Sequence, residues 1–170
     1  MGQNLDESFD VVDAADRVIG QEARRVVHAL GLRHRAVHLL VVNARGQVFL
    51  QKRSMAKDLY PGVWDSSAAG HVGAGEEYDT TAVRELEEEL GCRPASPPRR
   101  LFKIEARPET GQEFVWVYRV AADGPFVLQP EEIEGGGWFS ASEVDRWLTE
   151  RPQELAPAFR YLWPRARGML

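Results

Sequence analysis

The sequence predicts a layered α/β fold. Short runs of β-branched and aromatic residues recur along the chain, helical patterns are interspersed among them, and glycine- or proline-bearing turns separate the two. The totals agree. The chain has 170 residues, 44% of them hydrophobic and 28% charged, an ordinary globular composition with enough length for a sizeable core. The expected organisation is a single domain over 1–170. Residues 1–33 add a strand and helix at the N-terminus, and residues 151–170 add a C-terminal helix packed on the domain.

In chain order, "FDVVD" (9–13) reads as a short strand. Residues 21–30 carry a helical pattern closed by Gly31. "HRAVHLLVVN", then "ARG", then "QVFLQKR" reads as a β-hairpin over 34–53. "SMAKDLYPG" is a loop turning at Pro61-Gly62, and 63–69 is a short strand. A helix is expected over 80–90, with Asp79 as N-cap, Gly91 just past its end and Pro94 blocking resumption. Residues 99–107 and 113–122 read as strands, the second from "EFVWVYRVA". Another short strand covers 135–139. Ser140 with Glu143 makes a capping box for a helix through Trp147 to about Glu150, where Pro152 interrupts. The tail over 153–167 is helical and docks through Leu155, Phe159, Leu162 and Trp163.

Charge and composition narrow the function. A net charge of −5 argues against nonspecific binding to duplex nucleic acid, which rewards a basic surface. No apolar run approaches the ~18 residues of a membrane helix. "MGQNLDESFDVVD" lacks the basic-then-apolar order of a secretion signal, and the single cysteine, Cys92, cannot form an internal disulfide. These point to the cytoplasm.

The most informative stretch is "GHVGAGEEYDTTAVRELEEELGC", with seven acidic residues and one arginine. On a helix, Ala82, Val83, Leu86 and Leu90 fall on one side and should face the core. Glu85, Glu88 and Glu89 stand at i, i+3 and i+4, clustered on a neighbouring face, while Glu87 points elsewhere. Arg84 lies at the cluster's edge, able to orient one carboxylate. A solvated charged face would interleave Lys or Arg, yet nothing basic lies between Glu85 and Cys92. Carboxylates in the C-terminal half of a helix also oppose its dipole. A hard cation, Mg²⁺ or Mn²⁺, resolves both conflicts. Gly70, Gly73 and Gly75 permit a tight loop that could bring backbone carbonyls, those of Gly70 or Ala69 among them, to the cation.

Gly70, five residues, Glu76, seven residues, then "RELEEELGC" from Arg84 to Cys92 is similar to the Nudix box at every defined position; only Cys92 is an unusual choice for the final apolar one. The resemblance implies the Nudix fold, an α/β/α sandwich around a mixed β-sheet. It also implies Mg²⁺- or Mn²⁺-dependent hydrolysis of a diphosphate linkage in a nucleoside diphosphate derivative. Glu85, Glu88 and Glu89 would hold the metal, and Glu85, aligned by Arg84, is a candidate base. Glu76 would support the loop or join the metal shell. Glu113, or one of Glu131, Glu132 and Glu134, could supply a further carboxylate.

The segment from His34 to about Glu76 also resembles type I isopentenyl-diphosphate isomerases, which share the fold. Their chemistry needs a cysteine where "WDSSAAGH" has Ala69, so hydrolase is favoured. His34 and His71 match metal-binding histidines of those isomerases, and His28 does so with a one-residue offset. Glu113 fits one of their two late acidic positions, while Gly111 stands at the other. Hydrogen-bonded scaffold histidines are preferred over a second metal site.

On the substrate side, Arg53 and Lys57 could contact phosphates, with Lys52 equally well solvated. Strand alternation puts Trp116 opposite Glu113 in facing, which argues against Trp116 as a base platform. No recognisable extra signature marks ADP-ribose, NADH, dinucleoside polyphosphates or mRNA caps. Nucleoside 5′-di- or triphosphates are the expected small-molecule substrates, with a nucleotide sugar next. A catalytically silent nucleotide sensor is the remaining class, and such members usually lose box glutamates that this chain retains.

Overall fold

The computed structural model describes residues 7–170, so residues 1–6 of the expected N-terminal extension lie outside the described part. Strands β1 (Ser8–Val12) and β2 (Val18–Ala23) form an antiparallel hairpin that leads into α1 (Arg24–Leu30). There follow β3 (His34–Val42), β4 (Val48–Arg53), β5 (Trp64–Asp65), β6 (Ala68–His71) and α2 (Tyr78–Leu90). The chain continues with β7 (Arg99–Ile104), β8 (Glu113–Ala121), β9 (Ile133–Phe139), α3 (Ala141–Glu150) and α4 (Pro157–Ala166).

β3 is buried at nearly every position, which suits a strand covered on both faces. It runs parallel to β8 along its whole length, from His34↔Glu113 to Val42↔Ala121, and antiparallel to β6 over Ala36↔His71 to Leu39↔Ala68. β7 adds antiparallel to β8, while β4 pairs with β9 and β5. The sheet is therefore mixed.

Alternation along these strands sorts two cores. Val37, Leu39, Val41, Phe49, Tyr118 and Val120 pack against Tyr78, Ala82, Leu86 and Leu90 of α2. Ala36, Leu40, Val48, Leu50, Val115 and Val117 pack against Val144 and Trp147 of α3 and Phe159, Leu162 and Trp163 of α4. Helices thus cover both faces, an α/β/α sandwich.

Four local expectations need correction. Residues 21–23 are strand, not helix, because pairing with Ser8, Phe9 and Asp10 claims their backbone. The 34–53 hairpin closes only at its turn, where Val42 pairs with Val48; beyond it the strands splay to separate partners. The expected strand over 63–69 splits into β5 and β6 for the same reason. Between those two strands, Ser67 Oγ accepts from the Val41 amide and donates to the Phe49 carbonyl, filling the gap between β3 and β4. Finally, Glu77, not Asp79, holds the N-cap position of α2, without a side-chain cap. Asp79 instead accepts from the Tyr118 hydroxyl at 2.7 Å and from Arg100. The C-terminal reading holds. Gly91 is left-handed (φ 58°), and its amide and that of Cys92 donate to Glu87 O and Leu86 O. The Ser140–Glu143 capping box also forms.

A fifth difference concerns how α2 is seated. Val83 is 47% exposed, whereas Glu85 and Glu89 are 8% and 6% exposed. The helix is rolled so that these carboxylates lie inside the buried arc, between Thr81, Ala82, Leu86 and Leu90, and Val83 falls outside it. Replacing Leu86 with Ala should cost about 2–5 kcal/mol of unfolding free energy, whereas Val83→Ser should change it by about 0.5 kcal/mol or less. Equal losses in urea denaturation would contradict the observed roll.

Candidate active site

The buried side of α2 faces β6, and the contact is close. A Cβ placed on Gly70 would fall 2.1 Å from the Glu85 carboxylate, so only glycine admits that side chain. Glu89 is fixed from the sheet: Gln51 Nε2 donates to its Oε2 at 2.7 Å, and the Ala69 amide lies 3.4 Å from the same oxygen.

Arg84 organises the rest. Its Nε and Nη2 donate to the two oxygens of Glu76, each at 3.0 Å. Nη1 donates to Glu85 at 2.8 Å and to Glu88 at 3.1 Å, and Nη2 reaches the His71 carbonyl at 3.2 Å. Glu76 Oε2 also accepts from the Gly73 amide, pinning the glycine loop. Glu76 thus supports the loop and Arg84. Glu88 is the exposed member of the trio, its side chain 59% accessible.

The electrostatics follow from burial. Desolvation, reinforced by the Glu89 charge, pushes the Glu85 pKa well above the carboxylate range. Burial likewise raises Glu89 to about 7, despite the Gln51 hydrogen bond.

A second cluster stands beside the first. One donor atom from each of His28, His34, His71 and Glu113 lies within 4.8 Å of the others. His34 Nδ1 is 2.9 Å from the Leu32 carbonyl, and His71 Nε2 is 2.9 Å from Glu113. Phe9 stacks on the rings of His34 and His71. Burial lowers the His28 pKa to about 4 and lowers that of His71, so both rings are neutral at pH 7. Burial would raise Glu113, but the adjoining His34 and His71 outweigh it and hold the carboxyl well below its usual range. Three imidazoles and a carboxylate are a donor set suited to Zn²⁺ or a similar borderline ion.

Both clusters open onto one cavity of about 780 Å³. Ala69, Gly70, His71, Glu76, Arg84, Glu85, Glu88, Glu89 and Glu113 all line it. Arg53 and Lys57 line it too, but both are engaged within the protein. Arg53 donates to the carbonyls of Tyr60 (3.1 Å) and Leu59 (2.9 Å), and Lys57 pairs with Glu132. Of Glu131, Glu132 and Glu134, only Glu132 lines the cavity, and Lys52 pairs with Glu134 on the surface. Trp116 is absent from the lining, as the strand alternation requires, and lies under Arg100. Trp64 packs edge-on against Phe139 and Trp147. Sequence reasoning missed Arg24, His38 and Tyr60, which also line the cavity. Tyr60 carried a signal, since it precedes the Pro61-Gly62 turn. Arg24 and His38 carried none, because their placement follows from the hairpin and the strand pairing.

A NUDIX domain profile matches residues 32–162. An uncharacterized Nudix hydrolase of Streptomyces coelicolor is 40% identical over 149 residues, covering 86% of this chain and 82% of its own. The chain belongs to the Nudix family. Another uncharacterized Nudix hydrolase, from Pseudomonas aeruginosa, is 39% identical over 159 residues, covering 89% of this chain and 90% of its own. The crystal structure of DR0079 from Deinococcus radiodurans superposes with a TM-score of 0.82 at 29% identity, covering 94% of this chain and 98% of that one.

The protein is therefore a Nudix hydrolase, of a family that generally uses divalent metals. Its donor set fits such an ion. Two carboxylates are buried where their ionised forms repel each other, and Gly70 makes room for one of them, Glu85, beside β6.

Two measurements check this site. Because the folded-state pKa of Glu89 is raised, its contribution to metal-free stability is greatest below pH ~4.5 and declines as pH climbs toward 7. In chelator, Glu89→Gln should therefore equal or exceed the parent in stability at pH 8. The gap should close toward pH 5, and a variant much less stable at pH 8 would contradict it. Separately, zinc titration of the chelated protein should show one equivalent that His71→Ala loses and Glu89→Gln retains. Unchanged stoichiometry in His71→Ala would reduce the histidine cluster to hydrogen-bonded scaffold.

Proposed function

We propose that the chain hydrolyses a phosphoanhydride bond in nucleoside 5′-di- or triphosphates, with Mg²⁺ or Mn²⁺ held by Glu85, Glu88 and Glu89. The observation that carries this is the pair of buried carboxylates on α2, fixed by Arg84 and Gln51 at the floor of the shared cavity. The cavity falls within the size range of small-molecule sites. It carries ten carboxylate residues against four Lys and Arg side chains, so a polyphosphate would be repelled unless cations accompany it.

Bound there, the metal neutralises diphosphate oxygens and lowers the pKa of water. Arg84 holds one oxygen of Glu85, which leaves the other to accept the proton of the attacking water. A carboxylate whose pKa is raised above the ordinary carboxylate range is a stronger base than one left at its ordinary value. Gln51 fixes the orientation of Glu89, and Glu76 keeps Arg84 from collapsing onto the carboxylates. The methyl group of Ala69 can neither give nor take a proton. This supports hydrolysis over isoprenoid diphosphate isomerisation, since Ala69 lines the cavity where that chemistry would need a thiol.

The test is a phosphate-release panel over nucleotides with Mg²⁺, with product analysis. Cleavage between phosphorus atoms is expected. Binding without turnover, or isomer formation from isopentenyl diphosphate, would overturn the reading. In the same assay Glu88→Gln or Glu89→Gln should lower kcat by two or more orders of magnitude, the scale of about 3 kcal/mol or more of lost transition-state stabilisation. The circular dichroism spectrum should be unchanged.

A further inference from the structure

Four Lys and Arg side chains line the cavity, and three of them are hydrogen-bonded to protein acceptors. Arg84 serves Glu76, Glu85 and Glu88; Arg53 serves two carbonyls; Lys57 serves Glu132. Arg24 differs. It is 5% exposed, and its Nη1 is buried without a hydrogen-bond partner. It is ion-paired with Asp58, whose Oδ2 lies 3.4 Å from that nitrogen on a side chain 43% exposed, without making a hydrogen bond to it. A buried guanidinium nitrogen left without an acceptor is costly, and such groups are normally satisfied. The Arg24 side chain lines the cavity.

The position is held from several directions. Arg24 opens α1, and its backbone amide donates to the Glu7 carbonyl at 2.7 Å. One turn on, His28 joins the histidine cluster, with Phe9 of β1 packed beside it. The N-terminal hairpin and α1 therefore bring a cation to the end of the cavity near His28. The sequence pattern gave no reason to place Arg24 there.

We infer that Arg24 anchors the terminal phosphate of the substrate, so the preferred substrates are polyphosphates that end in an unesterified phosphate. This deepens the proposed function and rests on it. A terminal phosphate carries about −1.5 to −2 charge at pH 7 and offers three acceptor oxygens. A phosphate capped by a sugar offers fewer oxygens and less charge. A guanidinium fork without a carboxylate in hydrogen-bonding contact at Nη1 gains most from the first kind. Nucleoside di- and triphosphates are therefore selected over nucleotide sugars.

The test is calorimetric binding of inorganic pyrophosphate to the full chain in saturating Ca²⁺, comparing the parent with Arg24→Gln, Arg24→Lys and Asp58→Asn. Losing one charge-assisted hydrogen bond should weaken binding by roughly 10- to 100-fold in Arg24→Gln, and less in Arg24→Lys. Asp58→Asn should bind as the parent does or more tightly. A second arm compares a nucleoside diphosphate with its hexose-capped form. The parent should favour the uncapped ligand, and Arg24→Gln should lose most of that preference. Parent-like pyrophosphate binding by Arg24→Gln, with nucleotide hydrolysis intact, would overturn the role of Arg24 and leave the hydrolase reading standing. Equal weakening in Asp58→Asn would make Arg24 a tether for the loop that carries Asp58, which also overturns it. A parent that binds no pyrophosphate yet cleaves nucleotides rejects the anchor alone. One that does neither rejects both readings. If Arg24→Gln fails to fold, unchanged affinity and unchanged cap preference in Arg24→Lys would overturn the proposal.

Discussion

Two carboxylates buried on one helix are the constraint to which the rest of this molecule answers. Glu85 and Glu89 stand where an apolar helix would place aliphatic side chains. Their desolvation is offset locally by Arg84, Gln51 and the backbone of β6. The seating of α2 follows from this. Val83, which the apolar pattern assigned to the core, is turned outward so that the glutamates can turn in. Gly70 follows too, because any side chain there would occupy the space of the Glu85 carboxylate. The helix trades part of its packing for a charge site, as functional sites commonly do.

Arg84 connects this site to its surroundings. Its guanidinium meets three carboxylates and one carbonyl, and the carbonyl belongs to His71. His71 in turn contacts Glu113, which lies opposite His34 in the parallel register of β3 and β8. The glutamate site and the histidine cluster are therefore mechanically linked through a single residue of β6. That strand reaches the centre of the sheet only because the 34–53 hairpin splays and lets it pair with β3.

Much of this was legible from residue order, and what was not has identifiable causes. The box motif located the carboxylates, Arg84 and Gly70, because their spacing on one helix and one loop is local information. The C-cap at Gly91 and the capping box at Ser140 were legible for the same reason. Tertiary pairing was not. Residues 21–23 have a helical pattern yet serve as strand, since β1 offers hydrogen bonds that local propensity does not register. Asp79 looks like an N-cap, but the Tyr118 hydroxyl and Arg100 recruit it from across the sheet. The histidines illustrate the limit best. Their separations in sequence fit a scaffold role as well as a ligand role, and only the fold brings four donors from α1, β3, β6 and β8 within 4.8 Å.

The charge balance of the cavity links these features. Carboxylates outnumber the cationic side chains on its walls, and Arg53, Lys57 and Arg84 are bound to protein acceptors. A polyphosphate entering such a space meets repulsion from the walls before it meets any free donor. Cations must therefore enter with it or before it, and they make the buried glutamates favourable in their ionised form. Arg24, supplied by α1 where the N-terminal hairpin ends, lines this same space and is ion-paired with Asp58, its buried Nη1 making no hydrogen bond. On the reading proposed above, an acidic chamber that carries a fixed guanidinium would discriminate by charge distribution more than by shape.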